Sequence, residues 1–421
     1  MPYTPRIAII GAGPSGLALA ALLRAHSIHP TIYELRGEPT SASFDAPCGM
    51  LDLHEDSGLK VIRAAGLWDA FQDALGACSE ECRVLSPAGK TLHTDQGELS
   101  SRPEIARNAL TKLLLGAVAP GTVKWRCKVL SVGRARTDTG TTEVTLDLGM
   151  DGKATFDFVV GADGAWSRVR AMLTDVAPVY TGAQYVNATL RDATAKFPQL
   201  VDLVGSGTMM ALGGGRGIMT HRGPQDSIRL YNAVKTPLED WATDIGIAGK
   251  TAAEAKDVLL GEGGEFEKWA PELRELLATA CDEETIDHPG EAVDVLPLYM
   301  LPPGSRWETK AGATLIGDAA HLMTPWAGEG VNQALLDSLE LANVFGGMGE
   351  VEGVVEWQKK LEPPIREFEK AMVERVKGEA EKASRNGEMM LGEHGGQAIA
   401  DIFKMFADIA AKGGEFPEGL L

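Results

Sequence analysis

Cysteine is scarce. The chain carries five in 421 residues, Cys48, Cys78, Cys82, Cys127 and Cys281, and an odd number spread so thinly excludes a disulfide framework. Cys78 and Cys82 have neither a second pair nor a histidine at ligand spacing, so they read as packed thiols, and no metal site is expected. Long apolar runs are missing as well. The first apolar stretch, Ile7 to Ile10, passes directly into a glycine loop, so neither a membrane span nor a secretory leader is expected. Positive charge is in deficit, with 40 Lys and Arg against 59 Asp and Glu and a formal charge of -19. Such a field repels phosphate backbones and anionic headgroups, which argues against nucleic acid and membrane partners. A cytoplasmic monomer is the expectation.

What is present is an ordinary globular composition, 44% hydrophobic and 24% charged, at a length that suits two or three domains of about 150 residues each. Ile7 to Ile10 reads as a buried parallel strand, Leu17 to Leu23 as an Ala/Leu-rich helix and Thr31 to Tyr33 as a second strand, together a βαβ unit. Val144 to Leu148 and Thr155 to Val160 read as strands joined by a turn at Met150-Asp151-Gly152. Ala313 to Ile316 is a further strand, followed by helical periodicity at Val331, Leu335, Leu339 and Ala342. Between about 176 and 290 the pattern turns to alternation. There Ile228, Leu230 and Asn232 oppose Arg229, Tyr231 and Ala233, with turns at Gly213-Gly214-Gly215 and Arg222-Gly223-Pro224. Glu356 to about Arg385 and Ile399 to Ala411 read as C-terminal helices. The expected architecture is α/β: a Rossmann-type domain over 1–175 and 291–348, an inserted antiparallel-sheet domain over 176–290, and a helical arm over 349–421.

Gly11, Gly13 and Gly16 form GxGxxG between strand and helix. The first glycine allows a tight turn, the second lets a pyrophosphate approach the backbone, and the third permits close helix packing. Glu34 ends the second strand 21 residues beyond Gly13, where a carboxylate can accept from ribose hydroxyls. This unit suits NAD and FAD equally. The stretch Gly317-Asp318, followed by Ala327-Gly328-Glu329-Gly330-Val331-Asn332 at a helix start, adds a polyol acceptor and a glycine-rich helix N-terminus that can face a developing anion.

GAGPSG, GADGAWSRVR and LIGDAAHLMTPWAGEGVNQALLDS together resemble, in order, the three signatures of the class A FAD-dependent aromatic monooxygenases, the para-hydroxybenzoate and salicylate hydroxylase group. CGMLDLHEDSGLKVIRAAGL and RPEIARNALTKLLL are most similar to the tetracycline-inactivating members. The resemblance implies an FAD-binding domain of that type. It also implies a reaction in which NADPH or NADH reduces the flavin and O2 adds to give a C4a-hydroperoxide that hydroxylates an electron-rich aromatic, phenolic or polycyclic, even tetracycline-like, substrate. It assigns Glu34 to the adenosine ribose, Arg107 to the ring or ribityl chain, Asp318 to the ribityl hydroxyls and Asp163 to the diphosphate and nicotinamide. Pro325, Gly328, Gly330, Val331 and Asn332 would border the flavin ring. On residue type alone, Arg107 also suits a solvated helix start and Asp163-Gly164 an ordinary turn. His321 is assigned no chemistry, and Gly213 to Gly217 reads as a hairpin turn.

A second GxGxxG after a strand is absent, so the reductant is expected to bind transiently. No cysteine pair near the first helix suggests a disulfide reductase, and the Trp pair of flavin halogenases is missing. Substrate contacts in the tetracycline enzymes align, without gaps, with Asn187, Thr208, His221 and Arg229, and with Trp326 in place of a Phe. Most polar contacts therefore differ. Met210, Met219 and Tyr231 are further candidates, with core packing an equal reading for the methionines. Alternation leaves open whether Arg229 faces a pocket or solvent. A flavin-dependent reductase or dehydrogenase on the same fold and a non-catalytic FAD-binding protein remain the alternatives.

Overall fold

The computed structural model describes residues 3–75, 79–97 and 103–411. Cys78 lies outside them. Ile7–Ile10 is the centre of a five-stranded parallel sheet, with Phe158–Gly161 and then Ala313–Leu315 on one side and Thr31–Tyr33 and then Val123–Lys124 on the other. All four residues of Ile7–Ile10 are buried, as strands covered by helices on both faces must be. This order brings three sequence-distant segments to one sheet edge: the glycine loop, the Asp163 loop and the Asp318 loop each leave the C-terminal end of a neighbouring strand, where open α/β sheets bind ligands. The helices Pro14–Ala25 and Gly330–Gly346 pack together, and Ser338 Oγ donates to Ser15 O at 2.8 Å.

The single strand expected over Thr155 to Val160 is two. Lys153–Phe156 belongs to a three-stranded sheet with Thr142–Asp147 and Ser131–Arg136, and Phe158–Gly161 to the parallel sheet. The break falls at Asp157, whose carboxylate accepts from Arg6 N–H at 2.7 Å, from the Arg6 guanidinium at 2.7 Å and from Tyr3 OH at 2.5 Å. A buried carboxylate needs those donors, and meeting them pulls the residue out of the strand.

The second sheet has seven strands, in the order Asp294–Met300, Val179–Leu190, Ser227–Lys235, Arg216–Gly223, Thr208–Gly213, Cys82–Leu85 and Thr91–Asp95. Its hairpins turn at the two glycine-containing segments read from the sequence. Three of its strands come from outside 176–290, and Cys82–Leu85 joins by parallel pairing with Thr208–Gly213. One face, with Val186, Ile218, Ile228 and Leu230, is sealed by the helices Ala252–Leu260 and Pro271–Asp287. The other carries Tyr185, Met219 and Tyr231 toward Trp326 and Met390. The long helix Val354–Met390 packs into both the parallel-sheet core and the aromatic cluster on the seven-stranded sheet, and Gly395–Ala411 returns to the far sheet edge, where Phe403 stacks on His93 at 5.3 Å. Among the described residues no helix is long and apolar enough to cross a membrane.

Candidate active site

The three glycines of the first loop do different jobs. Gly11 has φ +104°, and a Cβ there would stand 2.3 Å from Ala162 O. A Cβ on Gly16 would stand 2.1 Å from Gly11 O, whereas one on Gly13 would meet nothing within 4 Å. Only Gly13 faces open space. It is also the N-cap of Pro14–Ala25 and makes no side-chain cap, so the first N–H groups of that helix are left for an anion. Glu34 is anchored against this loop, accepting from Ala12 N–H at 2.7 Å and Arg36 N–H at 2.8 Å. A carboxylate has about four lone-pair sites, so capacity remains for hydroxyl donors.

Asp163 accepts from Arg168 N–H at 2.7 Å through Oδ2, while its Oδ1 is buried with no partner. Burial raises its pKa, and hydrogen bonds from Ser167 and Arg168 work against that rise. Arg170, in the same motif, donates to Ala319 O at 3.0 Å and ties this loop to the next one. There Asp318 opens the short helix Asp318–His321, exposed to solvent with protein close around it. That surrounding raises its pKa against the charges of His321 and Arg107. His321 is engaged elsewhere: its Nε2 lies 2.6 Å from Asp337 Oδ2, which also accepts from Gly317 N–H at 2.8 Å. Arg375 donates to the other Asp337 oxygen at 2.9 Å. His321 thus braces the Asp318 loop.

Pro325 is exposed, Trp326 is buried, and Val331 is half-buried at the start of Gly330–Gly346. Gly328 has φ +69°, and a Cβ on Gly330 would meet nothing within 4 Å. The Asn332 side chain is fully employed within the protein. Its Oδ1 accepts from His54 N–H at 3.0 Å and its Nδ2 donates to Asp52 O at 3.0 Å, so its amide is not left for a ligand.

Arg107 opens the helix Arg107–Ala117, with its N–H on Gly49 O at 3.0 Å and its side chain exposed. Its charge acts on both Asp318 and Tyr231, which sets it between the cleft and the seven-stranded sheet. On that sheet Met210, Met219, Tyr231 and Asn187 are paired in register across four strands, and Thr208, His221, Arg229 and Thr189 form the adjacent row. Tyr185 meets Tyr231 at 5.6 Å and Trp326 at 5.5 Å, and His221 meets Tyr231 at 5.9 Å. Arg229 lies on this same face, donating to Thr189 Oγ1 at 2.7 Å and pairing with Asp294 at 3.4 Å. Asn187 donates to the same Asp294 oxygen at 2.8 Å. Burial lowers the pKa of His221 against the charge of Asp52, and its Nδ1 is buried without a partner.

Two groups were not singled out from sequence. His54 lies between Asp52, 3.0 Å from its Nε2, and Glu329, 3.2 Å from its Nδ1. Both Asp52 and His54 belong to the LDLH segment of the stretch that carries the family resemblance, where residue type and spacing give neither a role.

FAD fits these residues. The open glycine at the first helix suits a diphosphate, the cleft carboxylate of Asp318 suits a polyol, and the uncovered start of Gly330–Gly346 suits the polar edge of a flat ring. Over residues 4–219 and 270–353 the chain matches the family described as FAD binding domain. It is 33% identical to Monooxygenase penA of Penicillium thymicola over 95% of this chain and 98% of that protein. Among solved structures, Klebsiella pneumoniae HpxO complexed with FAD and uric acid superposes with a TM-score of 0.71 at 19% identity, covering 97% of this chain and 95% of that one. Tetracycline destructase Tet(55) does so with 0.69 at 17%, covering 99% and 100%. The chain belongs to the FAD-binding-domain family and is an FAD-dependent monooxygenase.

Proposed function

We propose that this enzyme uses NADPH or NADH and O2 to hydroxylate an electron-rich aromatic, phenolic or polycyclic substrate, held between the seven-stranded sheet and the loop from Asp318 to Asn332. The observation that carries this reading is the continuous aromatic face of Tyr231, Tyr185 and Trp326, whose last member lies in that loop. Flat rings stack favourably on such a surface. Uric acid in the HpxO complex, and the tetracyclines implied by the name of Tet(55), make both a small heteroaromatic and a fused-ring substrate reasonable here.

Bound FAD supplies hydride acceptance and oxygen activation, chemistry that side chains alone do not provide. The protein's residues do the rest. Glu34, Gly13 and Asp163 would hold the nucleotide end, and Asp318 the ribityl chain. The N–H groups at Gly330 and Val331 would favour negative charge on a ring bound at that helix start. Tyr185, Met219 and Trp326 exclude water. His221, its pKa lowered by burial, supports the aromatic face by packing against Tyr231. The single GxGxxG loop leaves the reductant to dock transiently, and the protein works as a cytoplasmic monomer.

Substrate-dependent NADPH oxidation with equal O2 uptake, screened over phenolic and fused-ring compounds, tests this proposal. NADPH oxidation coupled to substrate reduction without O2 uptake assigns the protein to the reductases instead.

A further inference from the structure

We infer that His54 is a positioning residue that sets the charge at the start of helix Gly330–Gly346 and, through it, how readily bound FAD accepts electrons. The inference rests on the flavin ring bordering that helix start, as proposed above. His54 is fixed there twice: its backbone N–H is held by Asn332, and its ring lies between Asp52 at 3.0 Å and Glu329 at 3.2 Å. Glu329 occupies the N-cap of the helix, so its carboxylate sits at the positive end of the helix dipole.

His54 and Glu329 are shielded from water, with side-chain exposures of 10% and 11%, while Asp52 is 33% exposed. Screening between His54 and Glu329 is therefore weak, and these charges act over several ångströms. Lys382 Nζ, from the long C-terminal helix, stands 4.0 Å from Glu329 and 3.0 Å from Glu379. Burial works against protonation of His54, but the two carboxylates overcome it and raise its pKa to about 9. At neutral pH the imidazolium therefore cancels one of the two negative charges of Asp52 and Glu329. Without it, both carboxylates stand at the helix start, with Lys382 at 4.0 Å from Glu329, and the net charge beside the proposed ring is one unit more negative.

Sulfite is a direct probe, because its sulfur lone pair bonds to flavin N5 and leaves the ring anionic. In the FAD-loaded protein, His54→Gln is expected to weaken sulfite binding about tenfold, equivalent to about 30 mV lower for a two-electron couple. Glu329→Gln, which removes a negative charge, is expected to strengthen it. Opposite shifts are the signature, because a loss of packing alone moves both variants the same way. In the wild type, sulfite affinity should also fall as pH rises through about 9, with an inflection that His54→Gln lacks. Shifts of one sign, or none, at full FAD occupancy overturn the inference. Should His54→Gln lose FAD, the wild-type pH series decides: no inflection, and the inference fails. Failure of the underlying reading is distinguishable, since there a Gly330→Val protein retains wild-type FAD affinity and absorbance.

Discussion

Gly387 faces the indole of Trp326 so closely that a Cβ built on it would stand 2.7 Å from Cδ1. Asn386, one residue earlier, donates to Trp326 O at 3.1 Å. The long C-terminal helix thus sets the position of an aromatic side chain in the loop leading to Gly330. Gly387→Val is expected to push the indole toward Tyr185, raising KM for an aromatic substrate about tenfold while FAD content stays unchanged. Gly378→Val, on the same helix with nothing within 4 Å of its Cβ, serves as the control for helix propensity. Steady-state kinetics on both variants, with flavin absorbance for occupancy, separate the two effects.

The first glycine loop gives a contrast between binding and folding. A Cβ on Gly13 points into open space, and one on Gly16 collides with Gly11 O at 2.1 Å. Gly13→Val should therefore leave the thermal unfolding of the apoprotein within about 1 °C and reduce FAD affinity at least tenfold. Gly16→Val should destabilise the apoprotein by 1–3 kcal/mol or more, the usual range for an overpacked core. Calorimetry of the apoproteins and FAD titration by fluorescence quenching are the measurements.

Much of this was legible in the sequence because it is local. Periodicity and the GxGxxG spacing place Ile7–Ile10, Gly11, Gly13 and Gly16 without reference to the rest of the chain. The same holds for the hairpin turns at Gly214 and Pro224. Features created by long-range pairing were not legible. Thr155 to Val160 reads as one strand until Arg6 and Tyr3, about 150 residues away, claim Asp157. Cys82–Leu85 gives no hint that its partner is Thr208–Gly213. Asn332 looks like a ring-bordering side chain, and only the fold shows it bound to the backbone at Asp52 and His54. Alternation fixed that Arg229 and Tyr231 share a face, but which face meets the flavin domain depends on where the helices at 252–260 and 271–287 pack.

Asp337 is fully buried and serves three donors: the His321 ring, the Gly317 N–H and Arg375. Burial opposes its ionisation, but His321 and Arg375 hold its pKa below the usual carboxylate range. A depressed folded-state pKa contributes stability above the unfolded value, about 4, and loses it as pH falls through the folded value. Thermal stability should accordingly drop below about pH 4. Asp337→Asn should cost about 3–5 kcal/mol at pH 7, the scale for stranding buried partners, and should flatten this acid dependence. Unfolding curves from pH 3 to 8 for both proteins provide the check.

Arg229 offers a test of substrate charge. Its guanidinium lies on the aromatic face, 5.9 Å from the Tyr231 ring centroid and 3.4 Å from Asp294, with 19% of its side chain exposed. That pairing is long for a salt bridge, and Asp294 is itself 58% exposed, so a phenolate, enolate or carboxylate of the substrate can compete for the guanidinium through charge-assisted hydrogen bonds. Arg229→Ala is expected to raise KM for an anionic aromatic substrate about 10- to 100-fold, the scale of a lost charged hydrogen bond of about 1.5–3 kcal/mol. FAD content should not change. Asp294→Asn, which removes the competitor, should lower KM for the same substrate. A neutral analogue should respond to neither change. Kinetics on the two variants with the charged and neutral forms of one substrate decide the point, and unchanged KM in Arg229→Ala confines this arginine to bracing Thr189 and Asp294 within the sheet.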